Sequence, residues 1–195
     1  FGVVKVDSHG IISDFIEKPK EFVSDQAIIG IYYFKEGEQL KEEIDYLIQN
    51  DIRGGGEFQL TMALENLKKK GTNFKIGTVT DWLDCGNKQI TVSSNTKYLQ
   101  FLAEEDLIDP SANLENTEII RPVYVGANTV IKNSKIGPNV SIGVDCELAN
   151  SQIADSLIQN NAKLEDVIFS NSMIGNFVNL KGHPKSVSLG DFSEW

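Results

Sequence analysis

The sequence predicts an α/β region followed by a short left-handed parallel β-helix. Two observations carry this. Between Val125 and Lys181 an aliphatic residue returns every five or six positions, and the preceding hundred residues alternate strand-like with helix-like segments. The marker residues of the repeat are Val125, Ile131, Ile136, Ile142, Leu148, Ile153, Ile158, Leu164, Phe169, Ile174 and Leu180, separated by steps of 6, 5, 6, 6, 5, 5, 6, 5, 5 and 6. Asn133-Ser134-Lys135-Ile136 returns as Asn150-Ser151-Gln152-Ile153 and as Asn171-Ser172-Met173-Ile174. A fixed short period of this kind marks hexapeptide-repeat β-helices.

The period has a geometric cause. Each side of a three-sided coil turns one aliphatic residue inward and needs a small inward neighbour before the corner. In the six-residue steps that neighbour sits four places on, at Thr129, Val140, Cys146, Ala162 and Val178; in five-residue steps Lys135 and Gln152 hold that place. Corners need positive φ, which Gly and Asn tolerate. Gly126, Gly137, Gly143 and Gly175 follow markers directly, and Asn128, Asn139 and Asn176 add turn chemistry. Antiparallel hairpins would instead call for strict alternation and two-residue turns. The period predicts three to four coils over residues 119–182, with inward Ile136, Ile142, Leu148, Ile153 and Ile174 and buried Cys146.

In chain order, Val3 to Val6 and Ile11 to Ile16 read as strands around the turn Asp7-Ser8-His9-Gly10, where His9 is a solvated turn residue. Ala27 to Phe34 is a nearly unbroken apolar run, as in a strand buried on both faces. Leu40, Ile44, Leu47 and Ile48 have helical spacing, which predicts a helix over Gln39–Gln49. Arg53-Gly54-Gly55-Gly56 is a flexible loop. A second helix is expected over Glu57–Lys70, with an acid at its start, solvated Lys68, Lys69 and Lys70 at its end and Gly71 as its stop. Phe74 to Val79 reads as a strand, Trp82 to Gly86 as a loop, and Asn87 to Ala103 as a helix. The expected organisation is a domain at 1–103, an acidic linker at 104–118, the β-helix at 119–182 and a tail at 183–195.

Composition narrows the function. A net charge of −10 argues against nucleic acid as partner. No apolar run is long enough for a membrane span. Cys85 and Cys146 match no metal spacing, and we read both as reduced, which fits a cytoplasmic protein. The chain opens at Phe1, without methionine, directly in a strand, so a further N-terminal portion is expected in the parent protein.

Five motifs occur in a telling order: Phe1-Gly2-Val3-Val4, Phe15-Ile16-Glu17-Lys18-Pro19, Gly30-Ile31-Tyr32, Gly56-Glu57-Phe58-Gln59-Leu60-Thr61 and Trp82-Leu83-Asp84-Cys85-Gly86. In that order, and followed by hexapeptide coils, they resemble the second half of the sugar-1-phosphate nucleotidyltransferases, including glucose-1-phosphate thymidylyltransferase and mannose-1-phosphate guanylyltransferase. The resemblance implies the C-terminal part of a Rossmann-like nucleotidyltransferase domain before the β-helix. It implies attack of a sugar 1-phosphate oxygen on the α-phosphate of a nucleoside triphosphate, with pyrophosphate leaving and Mg²⁺ as cofactor. By the same resemblance Lys18 contacts the sugar phosphate, Glu17 hydrogen-bonds sugar hydroxyls, Gly2, Ile28 and Gly30 line the sugar pocket, and Asp84 is the second of two metal-binding aspartates.

Other readings stand beside these. Glu17 and Lys18 also suit an exposed strand end, and Asp84 a cap for the helix that begins near Asn87. Met62 stands where the family often has an acid after the Leu-Thr pair. The family's glycine-rich loop with its arginine, its proline-containing stretch with the catalytic lysine, and its first metal aspartate are absent from these 195 residues. The chain alone is therefore expected to be inactive. The alternatives are a hexapeptide-repeat acyltransferase, although the coils hold no histidine for a base and His183 just beyond them, beside Gly182 and Pro184, reads as a turn residue, and a non-catalytic regulatory or assembly subunit. A short β-helix with open ends further predicts a homo-oligomer formed through the coils.

Overall fold

The computed structural model describes residues 2–35, 37–182 and 186–194. It divides into two compact units, 1–82 and 83–195. His183, read from the sequence as a turn residue, lies outside the described residues.

In the first unit, β1 (Val3–Val6) pairs antiparallel with β2 (Ile12–Ile16), as expected. Asp7 closes the turn by accepting hydrogen bonds at Oδ1 from the backbone N–H groups of His9 and Ile11, and His9 is exposed. Helix α1 (Gly37–Gln49) packs on α2 (Leu60–Lys69), and α2 packs on β2. Val4, Ile12, Leu47, Ala63, Leu64 and Leu67 form the buried core.

Several expectations for this unit are corrected. Ala27–Phe34 is not a buried strand: Ala27 bridges Val3, the Ile28 N–H donates to the Gly2 carbonyl, and the run then leaves the sheet. Gly30 takes φ +82°, outside strand geometry, and Ile31 and Tyr33 are 77 % and 86 % exposed. Likewise Phe74–Val79 forms only the Ile11–Lys75 bridge, with Ile76 and Val79 exposed. A strand needs a hydrogen-bonding neighbour, and an apolar run does not supply one. Helix α2 starts at Leu60, so Glu57 precedes it.

The buried stripe of α1 also differs from its apolar spacing. Glu43 is buried at 3 % exposure and Ile48 is 53 % exposed. Lys70 explains the exchange, because its ammonium pairs with Glu43 Oε1. Nor is Lys68 merely solvated: it donates to the Ser13 carbonyl and pairs with Glu65.

The second unit begins with helix α3 (Lys88–Phe101), capped by Asn87, whose side chain accepts from the Ile90 N–H at 3.1 Å. The coils follow as β3 (Asn113–Glu115), β4 (Glu118–Ile119), β5 (Val123–Val125), β6 (Val130–Lys132), β7 (Lys135–Ile136), β8 (Val140–Ile142), β9 (Glu147–Ala149), β10 (Gln152–Ile158), β11 (Lys163–Glu165), β12 (Ile168–Ile174), β13 (Asn179–Lys181) and β14 (Ser188–Leu189). All their pairings are parallel. The fold class is the expected one, an α/β region followed by a left-handed parallel β-helix.

Register sorts the markers into three inward columns. One runs Leu114, Ile131, Leu148, Leu164, Leu180; the second Ile119, Ile136, Ile153, Phe169; the third Val125, Ile142, Ile158, Ile174, Leu189. Every expected inward residue is buried, Cys146 included. The first column has five rungs, so the coils number about five rather than three to four. They begin inside the span read as a linker, where Asn113–Glu115 pairs with Val130–Lys132, and they continue past 182 to β14.

The five-residue sides also have a small inward neighbour. It lies three places after the marker, at Ser134, Ser151, Ser156, Val167 and Ser172, all buried. Corner chemistry is divided between two residue types. Asn116, Asn133, Asn150 and Asp166 hold positive φ at one corner, while Gly126, Gly143 and Gly175 do not. Those glycines serve close approach: a Cβ on Gly126 would lie 2.7 Å from the Gly143 carbonyl carbon, and one on Gly175 2.5 Å from Asp191 N. Of the four marker-following glycines only Gly137 has positive φ, +108°.

Candidate functional site

The strand end of β2 delivers Glu17 and Lys18 together. Pro19 follows directly, and Lys18 adopts φ +41°, so the chain turns sharply out of the sheet at this point. Glu17 is half-buried, whereas the Lys18 side chain is 68 % exposed, with Nζ 3.8 Å from Glu57 Oε2. An exposed ammonium on a strand end, loosely matched by one carboxylate, keeps donors available for an incoming phosphate.

Around Glu17 the structure assembles residues from three other segments. Thr61, at the start of α2 and 7 % exposed, donates its hydroxyl to Glu17 Oε2 at 3.1 Å. Gly2 is buried, and a Cβ there would lie 3.1 Å from that same oxygen and 3.2 Å from Ile28 Cδ1. Glycine at position 2 therefore leaves room for the carboxylate and the isoleucine side by side. Tyr32 lies within the field of Glu17, and partial burial together with that negative charge raises its phenol above the ordinary tyrosine value.

Of the sequence-predicted residues, Gly2, Glu17 and Ile28 thus meet, with Lys18 adjacent in the chain. Gly30 does not join them: a Cβ there would meet nothing within 4 Å, and its glycine is accounted for by positive φ. Sequence reasoning missed Thr61 and Tyr32 as neighbours of Glu17. Both stood inside quoted motifs, and the short buried hydroxyl at the head of an amphipathic helix was the available signal for Thr61.

Asp84 belongs to the second unit. The cap reading is corrected, because Asn87 caps α3. Asp84 is half-buried, accepts at Oδ1 from the Gly86 N–H at 3.1 Å, and accepts at its backbone carbonyl from Ser94 Oγ at 2.6 Å. No group of three or more His, Cys, Asp or Glu side chains suited to a metal occurs among the described residues. Mg²⁺ commonly takes only one or two carboxylates, completing its shell with waters and phosphates, so a single aspartate fits such an ion as part of a substrate-assisted site. No described helix is long and apolar enough to cross a membrane.

Residues 1–101 match the family model described as nucleotidyl transferase. The chain is 26 % identical over 214 residues to glucose-1-phosphate thymidylyltransferase of Streptomyces griseus, covering 99 % of this chain and 59 % of that protein. It is 28 % identical to the glucose-1-phosphate thymidylyltransferase of Streptomyces antibioticus, covering 81 % and 47 %. The bifunctional protein GlmU of Clostridioides difficile (strain 630) is 26 % identical over 100 % of this chain and 46 % of its own length. The chain spans about half the length of the curated relatives it matches.

Proposed function

Because the chain belongs to the nucleotidyl transferase family, we propose that it carries the sugar-1-phosphate side of an enzyme that joins a sugar 1-phosphate to a nucleoside triphosphate, releasing pyrophosphate. The observation that carries the reading is the built carboxylate at Glu17. Its Oε2 is held by buried Thr61, a glycine leaves it room, and the ammonium of the next residue stands in solvent.

Each residue then has a defined task. Glu17 accepts from sugar hydroxyls; Lys18 neutralises the sugar phosphate; Gly2 and Ile28 shape the pocket wall, and Gly30 carries the backbone turn beside it. Asp84 would be the second of two aspartate ligands to Mg²⁺, which when bound screens the phosphate charges. Phosphoryl transfer of this kind depends on positioned charge, so losing one such group costs about a hundredfold or more. The 1–103 segment is the catalytic portion in this reading. The coils serve assembly, with a second copy of this chain as partner in the cytoplasm.

The test is pyrophosphate release. The 195-residue chain, which has no triphosphate loop in its sequence, should release none from a nucleoside triphosphate and a sugar 1-phosphate with Mg²⁺. A longer active protein carrying this sequence should do so, and Lys18→Ala or Asp84→Ala should lower its kcat/KM by about a hundredfold or more. Turnover by the isolated chain, or near-normal kinetics in both variants, refutes the reading.

A further inference from the structure

Helix α3 is made of residues that favour helices poorly. Its run Thr91-Val92-Ser93-Ser94-Asn95-Thr96 stands where Ala, Leu or Glu would be more stable. Such a local conflict calls for a gain elsewhere. Two of the hydroxyls behave ordinarily: Thr91 Oγ1 and Ser93 Oγ bond back to the carbonyls four residues earlier, Asn87 and Gln89. Ser94 does not. It is 8 % exposed, and its hydroxyl leaves the helix to reach the Asp84 carbonyl at 2.6 Å.

The neighbouring residue points the other way, to the coils. Asn95 Oδ1 accepts from Ser141 Oγ at 2.6 Å, and its Nδ2 donates to the Asn139 carbonyl at 3.3 Å. Two further links lie toward the N-terminus of the helix. Gln89 Oε1 accepts from Asn171 Nδ2 at 3.0 Å, and Lys88 Nζ donates to Ser186 Oγ at 2.9 Å. Successive coils are thus stitched to α3 by polar side chains, with the helix running from the last coils back toward an earlier one. Consecutive residues on a helix diverge by about 100°, so one residue faces the Asp84 loop while the next grips the β-helix.

We propose that the β-helix holds the Asp84 loop in place through α3, with Ser94 as the residue that positions Asp84 and Asn95 and Gln89 as the anchors that fix Ser94. The coils are then part of the working site as well as an assembly surface. The importance of this link rests on the reading of Asp84 as a metal ligand, but the link itself can be tested without that reading.

The test is amide hydrogen exchange by NMR on the full 195-residue chain, read at Gly86, whose N–H is bonded to Asp84 Oδ1. Ser94→Ala should speed exchange at Gly86 by about tenfold, the scale of one net hydrogen bond, and Ser94→Thr should restore it. The anchor pair Gln89→Ala with Asn95→Ala, which touches no atom of the loop, should also speed Gly86 by about tenfold while the coil amide of Leu164 keeps its rate. Unchanged Gly86 exchange in the anchor pair overturns the proposal. So does an equal acceleration of Gly86, the α3 amides and Leu164, which signals loss of global stability only. If Gly86 responds as expected while Asp84→Asn leaves the Mg²⁺ dependence of an active longer protein unaltered, the metal reading fails and the positioning link stands.

Discussion

The Ser151 backbone N–H donates to Ser134 Oγ at 3.0 Å, one coil away, and each hydroxyl turns its own proton to the carbonyl two residues earlier, at the end of the preceding strand. The next rung repeats the link, with the Val167 N–H donating to Ser151 Oγ at 3.3 Å. A buried serine column therefore satisfies corner N–H groups that no strand partner reaches. Ser151→Ala leaves the Val167 N–H unsatisfied and should cost about 1–3 kcal/mol. Urea unfolding, followed through the β-sheet signal, measures it.

Ile142 is fully buried in the third inward column, between Val125 and Ile158. Ile142→Ala removes most of that side chain from a closed coil with little freedom to collapse. A loss of about 2–5 kcal/mol is expected in the same denaturation experiment. A loss below about 1 kcal/mol, the scale of an exposed position, would contradict the inward assignment.

Lys70 and Glu43 join α2 to α1, and the hydrogen bond to Glu43 holds the Lys70 ammonium above the ordinary lysine value. A raised lysine contributes stability that is fully present below its unfolded value and is lost as pH rises through the folded one. The contribution should therefore be constant through neutral pH and fade only in strong alkali. Lys70→Met should destabilise the first unit at pH 7 by stranding a buried carboxylate, and adding Glu43→Gln should recover much of the loss. Thermal unfolding of the two variants tests this.

Cys85 is exposed and Cys146 is buried in the coils, where burial pushes its thiol above the ordinary value. The thiolate is the reactive form. A disulfide reagent should modify one thiol promptly in the native chain and the second only with unfolding of the β-helix. Two promptly reactive thiols would contradict the closed coil around Cys146.

The β-helix was legible in the sequence because its period is local: Ile131, Leu148 and Leu164 repeat at coil spacing, and the coil supplies its own neighbours. What was missed there was an offset. The small residue sits four places after the marker on the long sides, and on the short sides, where Lys135 and Gln152 hold that place, it sits at three, as at Ser134. The first unit was less legible, since strands need partners that an apolar run cannot announce. Ile31 and Tyr33 have strand-like character and lie exposed. Glu43 reads as solvent-facing until Lys70, 27 residues away, is placed beside it. The site divides in the same way. Glu17 and Lys18 are visible as a charged pair at a strand end, whereas the Thr61 hydroxyl that fixes Glu17 comes from 44 residues along the chain.

The central claim is that Glu17 and Lys18 form the sugar-phosphate end of a binding site. It is tested most directly by titration calorimetry of the 195-residue chain with glucose 1-phosphate. Saturable one-to-one binding is expected, weakened about tenfold or more by Glu17→Ala and by Lys18→Ala, and weakened also when glucose or inorganic phosphate replaces the ester. Thr61→Val should weaken it as well, with Thr61→Ser close to the parent. Absence of saturable binding, or binding unchanged in both the Glu17 and Lys18 variants, would contradict the account.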